Sequence, residues 1–196
     1  TAVLTNITPE HLDYHKTFEE YNRAKMKLFT LAKNWVLNSN APQPPLKLRG
    51  GEGELLTYGL SPQAQIWADN IKEDLKSTAF TCHIQHTRLR HGQATYNIQL
   101  LLPGQFNILN ALAAICVGQI YGVPESAIRK GLEAVKSIPG RMEYINEGQD
   151  FLVMVDFAHT PNALRALTTF SRPRISGQLI LVFGCAGERD PFKRAE

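Results

Sequence analysis

The chain has 196 residues, of which 43% are hydrophobic and 20% charged, a balance typical of a globular protein that buries a core. Its formal net charge of +3 is small and spread along the chain, which argues against nucleic-acid binding. Three widely spaced cysteines, with no signal peptide and no membrane-spanning run, predict a cytoplasmic protein without a disulfide framework. Because the chain begins without methionine and stops soon after a strand, we expect a piece of a longer protein.

The first part of the chain is predicted to contain a strand, a helix and a second strand. "TAVLTNI" has strand composition. Thr17 followed by Glu20 matches a capping box, which predicts a helix over about 18–32. "WVLNSN" is predicted to be a short strand, and the prolines and glycines of 41–55 predict a loop.

Lys25 occupies an unusual place on this helix. It is four residues from both Tyr21 and Phe29, so it falls within or at the edge of the apolar stripe and is expected to point inward. A lysine there can extend its ammonium to water, pair with phosphate, or lose its charge by desolvation. A neutral amine could also react with carbon dioxide to form a carbamate, an oxygen ligand suited to Mg²⁺. His11, in "HLDYH", is the candidate partner ligand, although that cluster could equally be a polar surface turn.

Two runs of alternating polarity, 80–85 and 95–100, predict an antiparallel hairpin. After the hairpin, Asn107 can cap a helix that is apolar nearly all round and therefore buried. Asn107 and Asn110 are three residues apart, so both amides can face one ligand. An amide presents a donor and an acceptor together, which matches the edge of adenine, although Asn107 could be a cap and nothing more. A second helix is predicted over 124–135.

A domain boundary is predicted near Ile138 and Pro139, which divides the chain into 1–138 and 139–196. The second part contains a βαβ pattern: a strand over 151–155, a helix with Thr160 as its cap, and a strand over 179–183. Continuous apolar strands around one helix predict a parallel pair that is buried on both faces. Asp156 would then follow the carboxyl end of a strand, where ligands bind in open α/β sheets.

Three polar residues in this part suggest a nucleotide site. The Arg141 guanidinium suits phosphate, and the Asp156 carboxylate suits ribose hydroxyls. His159 just precedes a helix N-terminus, where anions are favoured. Each residue alone could be a salt bridge, a turn or a cap, and their co-occurrence is the argument for a site.

Taken in order, these motifs resemble those of the Mur ligases of peptidoglycan synthesis. The segments that carry the resemblance are "TNITPEHLDYHKTFEEYNRAKMKLF", "GQFNILNALAA", "IPGRME", "VDFAHTPNAL" and "FGCAGERDPFKR". The resemblance implies an α/β chain that covers the later part of the central ATPase domain and the opening βαβ of a Rossmann-like C-terminal domain. The family's GTxGKT phosphate loop does not occur in this chain, so the chain alone is expected to be inactive.

The resemblance is greatest to the members that add a diamino acid. It implies that ATP and Mg²⁺ drive ligation of meso-diaminopimelate or L-lysine to UDP-MurNAc-L-Ala-D-Glu through an acyl phosphate, in a cytoplasmic, monomeric enzyme of cell-wall synthesis. By position, Lys25 matches the family's carbamylated lysine, and His11 matches a Mg²⁺ ligand.

The resemblance also implies roles for the candidate nucleotide site. Asn107 and Asn110 match the asparagines on the adenine side, while Arg141 and Asp156 match the residues that hold the phosphate and ribose of ATP. His159 lies within the matching motif. The chain departs from the family at Phe157, where tyrosine is usual, at Asn162, where aspartate is usual, and over 38–51.

Three alternatives stay open at the level of sequence. The first is another amide ligase of the same superfamily, against which the residues after Asp156 argue. The second is a non-catalytic nucleotide-binding module derived from a ligase. The third is a metal hydrolase built on "HLDYH", which leaves the asparagine pair unexplained.

Overall fold

The chain has an α/β fold, and the computed structural model describes residues 1–8, 12–42, 53–85 and 93–184. The strands are β1 (Ala2–Leu4), β2 (Trp35–Asn38), β3 (Leu55–Gly59), β4 (Ile66–Glu73), β5 (Thr78–Gln85), β6 (Gln93–Leu100), β7 (Glu143–Ile145) and β8 (Val153–Val155). The helices are α1 (Leu12–His15), α2 (Phe18–Leu31), α3 (Gln105–Ile120), α4 (Glu125–Glu133) and α5 (Pro161–Ser171), and a 3₁₀ turn (Arg172–Arg174) follows α5.

Six strands form one mixed sheet in chain order from β1 to β6. The first four strands are parallel, whereas β5 pairs in antiparallel fashion with both β4 and β6. The predicted hairpin is confirmed as β5 and β6, and the predicted strand at "WVLNSN" as β2. Strands β3 and β4 were not predicted. Two residue pairs join β3 to β4. Because β4 is parallel to β3 and antiparallel to β5, it lies between the parallel and antiparallel parts of the sheet.

Both faces of the parallel part of the sheet are covered. One face packs against α3, whose Ile108, Leu112 and Ile115 are fully buried in the larger apolar cluster. The other face packs against α2 through a smaller cluster that contains Tyr21 and Phe29. The apolar run of α3 therefore predicted its burial correctly. Alternation along β5 places every second residue in the larger cluster, as its polarity pattern predicted.

Helix caps decide where α2 and α3 begin. The Thr17 hydroxyl accepts a hydrogen bond from the Glu20 backbone N–H at 3.2 Å, which confirms the predicted cap of α2. For α3 the prediction was wrong, because the cap is Gly104 rather than Asn107. Gly104 has φ 94, a conformation that glycine adopts at little cost. The helix can therefore start at Gln105, and Asn107 lies inside its first turn.

The C-terminal part contains a hairpin and a helix. Strand β8 pairs with β7 in antiparallel fashion, and Thr160 caps α5 as predicted, with Pro161 as the first helical residue. The predicted parallel βαβ pair is wrong for the described residues, because 179–183 form no strand and are largely exposed. Within the described residues the sheet that contains β8 has β7 as its other strand. The apolar side chains of 179–183 therefore stay largely exposed and without the partner that a strand needs.

Among the helices of the described residues, none combines the length and apolarity that crossing a membrane requires.

Candidate functional site

The predicted site residues fall in three places. Lys25 is on α2, the two asparagines are on the first turns of α3, and Arg141, Asp156 and His159 surround the β7–β8 hairpin. His11 lies outside the described residues. The contacts described below are local to each place. Lys25 lies over Tyr21 of its own helix, and Arg141 lies over Phe157.

Lys25 does not point inward, which corrects the prediction from helical spacing. Tyr21, Met26 and Phe29 fill the buried side of α2, while the Lys25 side chain is exposed. Its Nζ lies 5.3 Å from the centre of the Tyr21 ring. Burial of an ammonium is costly, so the long side chain reaches water while it stays against an aromatic face. The lysine is therefore accessible to small molecules at the edge of the apolar stripe.

Asn107 and Asn110 are in direct contact. The buried Asn107 amide donates through Nδ2 to the Pro103 carbonyl at 2.8 Å, and its Oδ1 accepts from Asn110 Nδ2 at 3.3 Å. Asn110 itself is exposed. The two side chains therefore have different roles. Asn107 makes hydrogen bonds within the protein and orients Asn110, whose exposed side-chain carbonyl oxygen can accept a hydrogen bond from a ligand.

Two residues that the sequence analysis missed hold this helix start in place. The fully buried Thr78 hydroxyl accepts from the Gly104 N–H at 3.0 Å. A Cβ at Gly104 would lie 2.6 Å from the ring of the exposed Phe106, which can move aside, so the positive φ is the stronger reason for glycine there. The "LPG" tripeptide was the available signal, but it only indicated a break after β6.

Arg141, Phe157 and His159 form a cluster on the surface of the hairpin. The guanidinium carbon of Arg141 is 4.7 Å from the centre of the Phe157 ring, within the range of cation–π attraction. The His159 ring meets the same phenyl ring edge to face at 4.8 Å. His159 Nδ1 also lies 2.8 Å from the Phe157 carbonyl oxygen. Phe157 therefore supports both groups, and only its departure from the family pattern had singled it out.

Asp156 links the two strands of the hairpin. Its Oδ2 accepts from the Met142 N–H at 2.9 Å, and its Oδ1 accepts from the Ala158 N–H at 2.7 Å. Met142 is buried and has φ 47, an uncommon conformation for a residue with a side chain. The carboxylate therefore fixes the backbone directly after Arg141. Each carboxylate oxygen has a second lone pair, so Asp156 can still accept a hydrogen bond from a hydroxyl.

The donor set fits a nucleotide better than it fits an all-protein metal site. An exposed guanidinium and a partly exposed carboxylate lie at the hairpin, and a free amide carbonyl lies at the start of α3. Across the described ranges, no group of three or more His, Cys, Asp and Glu side chains could hold a metal ion. Lys25 becomes a metal ligand only when its amine carries a carboxylate.

Comparison with known protein families gives two matches. The Mur ligase middle domain matches residues 1–118, and the glutamate ligase domain of Mur ligases matches residues 140–196. The first match contains Lys25 and the asparagine pair, and the second contains the Arg141 and Asp156 hairpin.

Curated relatives match over nearly the whole chain. A UDP-N-acetylmuramoyl-L-alanyl-D-glutamate–2,6-diaminopimelate ligase from Caldanaerobacter subterraneus subsp. tengcongensis is 38% identical over 194 residues, which are 98% of this chain and 39% of that protein. The ligase of the same name from Thermosynechococcus vestitus is 41% identical, over 100% of this chain and 39% of its own length. The chain therefore spans about two fifths of the length of these relatives.

Solved structures share the fold. A UDP-N-acetylmuramoyl-L-alanyl-D-glutamate–2,6-diaminopimelate ligase superposes with a TM-score of 0.69 at 30% identity, over 98% of this chain and 39% of that one. A MurF ligase from Thermotoga maritima, solved in complex with ADP, has a TM-score of 0.65 at 20% identity, over 86% of this chain and 38% of that one.

Proposed function

The chain belongs to the Mur ligase family, and from this premise we propose that a protein carrying it, together with the remaining length of its relatives, is an ATP-dependent amide ligase of peptidoglycan synthesis. Its substrates would be UDP-MurNAc-L-Ala-D-Glu and a diamino acid, either meso-diaminopimelate or L-lysine. The names of the relatives specify 2,6-diaminopimelate, which supports the first of these amines.

The observation that carries the proposal is the hairpin site. Arg141 is held exposed on the face of Phe157, and Asp156 fixes the backbone that follows Arg141. A preorganised cation beside a carboxylate is an arrangement that suits the phosphate and ribose of a nucleotide. Asn110, oriented by Asn107, adds an amide that suits adenine.

These residues would bind and orient ATP for attack by the D-glutamate carboxylate. Transfer of the γ-phosphoryl group to that carboxylate gives an acyl phosphate and ADP. The amino group of the diamino acid then attacks the acyl carbon, phosphate leaves, and an amide bond remains. In such reactions most of the catalysis is positioning and charge stabilisation, which are the tasks assigned to Arg141, Asp156 and Asn110.

Lys25 and His11 are proposed as Mg²⁺ ligands. The exposed Lys25 side chain is accessible to carbon dioxide. Its ammonium first loses one proton, and the neutral amine then forms the nitrogen–carbon bond of the carbamate and releases a second proton. The product supplies oxygen ligands, which Mg²⁺ prefers, where the lysine had a positive charge. Bound Mg²⁺ would offset charge on the transferring phosphoryl group. His159 is proposed as an accessory residue of the nucleotide site.

We also propose a domain boundary at 138–139, which falls between the two family matches. A cytoplasmic location is supported by Cys82 and Cys116, which are buried free thiols of the kind that reducing compartments preserve. A monomer is proposed because the ATP-binding and metal-binding residues are all assigned to one polypeptide.

The test is ligation by the full-length protein. Turnover should require ATP, Mg²⁺, UDP-MurNAc-L-Ala-D-Glu and a diamino acid, with 2,6-diaminopimelate preferred over L-lysine. Lys25→Ala should lower kcat by at least about a hundredfold, and added bicarbonate should not restore it. Lys27→Ala is the matched control, because Lys27 is an exposed lysine on the same helix. Arg141→Ala should raise the KM for ATP, whereas Arg165→Ala, on the exposed side of α5, should not.

Two outcomes would contradict different parts of the proposal, namely the ligase activity and the carbamate. Binding of ATP without any ligation would favour the non-catalytic module. Retained turnover in Lys25→Ala would remove the carbamate from the mechanism and leave the ligase assignment in place.

A further inference from the structure

The turn between β4 and β5 makes two contacts with the C-terminal segment, defined here as residues 139–184. Glu73 at the end of β4 pairs with Arg174, whose nitrogen lies 2.9 Å from its Oε2. One residue past Asp74, the Leu75 carbonyl accepts a hydrogen bond from the Tyr144 hydroxyl. Tyr144 is on β7 and Arg174 follows α5, so the turn contacts two different elements of the segment.

The turn is also held by hydrogen bonds of its own, independently of these contacts. Asp74 accepts hydrogen bonds from the Lys76 and Ser77 backbone N–H groups, each at 2.7 Å, and from the Ser77 hydroxyl at 2.8 Å. These bonds, that from Lys76 first, lower the pKa of the Asp74 carboxyl. The Leu75 carbonyl is therefore presented in a fixed direction.

The Arg174 guanidinium is also held by Phe170, in addition to its contact with Glu73. One guanidinium nitrogen donates to the Phe170 carbonyl at 2.7 Å, and the guanidinium lies 4.2 Å from the centre of the Phe170 ring. The other nitrogen donates to Glu73. A planar guanidinium can make both contacts at once, which a lysine ammonium could not do with the same geometry. Arg174 therefore ties the end of α5 to the sheet.

The ion pair between Glu73 and Arg174 is largely shielded from solvent. The Glu73 side chain is 11% exposed and that of Arg174 is 26% exposed, so the pair lies between a surface bridge and a fully buried one. Glu73 Oε1 is buried with no hydrogen-bond partner in the described part of the chain. A half-satisfied buried carboxylate lowers the net gain from closing the contact.

We propose that Glu73, Arg174 and Tyr144 form a latch that holds the C-terminal segment against the β4–β5 turn and so positions Arg141. The connection runs through β7, because Tyr144 is three residues after Arg141 and Asp156 holds the intervening Met142 N–H. These three are positioning residues. The link from the latch to nucleotide binding rests on the proposed function, whereas the latch itself does not.

The latch is tested by a distance measurement in the full chain. Spin labels on Gln63→Cys, before β4, and Asn162→Cys, on α5, are placed in a Cys185→Ser background; both positions are exposed. The remaining cysteines are buried. Glu73→Gln and Tyr144→Phe should each broaden the distance distribution and lower the latched-to-open ratio about tenfold. Arg174→Gln should broaden the distribution less in the Glu73→Gln background than in the unmodified chain, because the two residues act through one shared contact.

Glu147→Gln is the control, since Glu147 is an exposed carboxylate in the β7–β8 turn. An unchanged distribution in Glu73→Gln and Tyr144→Phe, or equal broadening in Glu147→Gln, would overturn the latch. Hydrogen exchange of the β5–β6 amides shows that each variant keeps its sheet.

A second measurement separates the latch from the ligase assignment. In the full-length protein, Glu73→Gln should raise the KM for ATP by the factor by which the latched fraction falls, which is about twofold for a latched-to-open ratio that drops from about 10 to about 1. The kcat should stay within a few fold of that of the unmodified enzyme. An open latch with an unchanged KM would overturn the positioning role. Absence of ligation by the unmodified protein would contradict the proposed function and leave the distance result standing.

Discussion

Replacement of Asp156 by asparagine tests how the hairpin site is built. The side chain keeps its shape, but one oxygen becomes an NH₂ group. In the structure the two oxygens accept from the Met142 and Ala158 N–H groups at 2.9 Å and 2.7 Å. An asparagine can accept only one of these bonds, and its NH₂ then faces the other N–H, donor against donor.

The expected loss follows from the two bonds. A hydrogen bond to an ionised acceptor contributes about 1.5–3 kcal/mol and a neutral one about 1 kcal/mol. Asp156 is only partly buried, so solvent screening favours the lower end of that range. One bond lost at about 1.5 kcal/mol and one weakened by about 0.5 kcal/mol give about 2 kcal/mol, or about a thirtyfold change in the opening equilibrium of the hairpin.

Amide hydrogen exchange measures this loss at the hairpin itself. The Met142 and Ala158 amides should exchange about thirty times faster in Asp156→Asn, while amides of β5 and β6 keep their protection. Asp150→Asn is the matched control: Asp150 is an exposed aspartate of the same hairpin. It should change the exchange rates less than about twofold. Equal exchange in the two variants would refute the role assigned to the Asp156 carboxylate.

Two further predictions concern the larger apolar cluster. Ile115→Ala, at a position with no exposed area, should lower the free energy of unfolding by about 3 kcal/mol in urea denaturation, whereas Leu31→Ala, at an exposed end of α2, should stay within about 0.5 kcal/mol. A small loss at Ile115 would contradict the packing of α3. Burial raises the pKa of the Cys82 thiol to about 12, so the unfolded chain loses this proton first and stability should fall as pH rises from about 9 toward 12. Cys82→Ala should show a shallower alkaline loss than the unmodified chain, and an identical loss would contradict burial of the thiol.

Local signals in the sequence predicted local structure well. The Thr17 and Thr160 caps were found from residue type and spacing, because a cap is made by groups three residues apart. Alternation of polar and apolar residues predicted β5 and β6, because successive side chains of a strand point to opposite faces and one face is buried. The Asn107 cap was wrong by one turn, because a positive φ at Gly104 allowed the helix to start earlier.

The candidate site was only partly predictable. Arg141, Asp156 and His159 were named from their motifs, and the structure brings them together around Phe157. Their roles as ligand-binding residues stay predictions. The inward direction of Lys25 was wrong, because helical spacing gives the angle of a side chain but not whether protein or water lies beyond it.

The sequence by itself determined the family, the caps of α2 and α5, the buried helix α3 and the residue types of the candidate nucleotide site, since these depend on local spacing and on motifs. The tertiary structure decided which strands pair, and it paired β8 with β7 rather than with 179–183. It also decided that Asn107 serves the backbone and that Glu73 meets Arg174 across 101 positions of sequence. Such contacts join residues far apart in the chain, and no local periodicity encodes their distance in space.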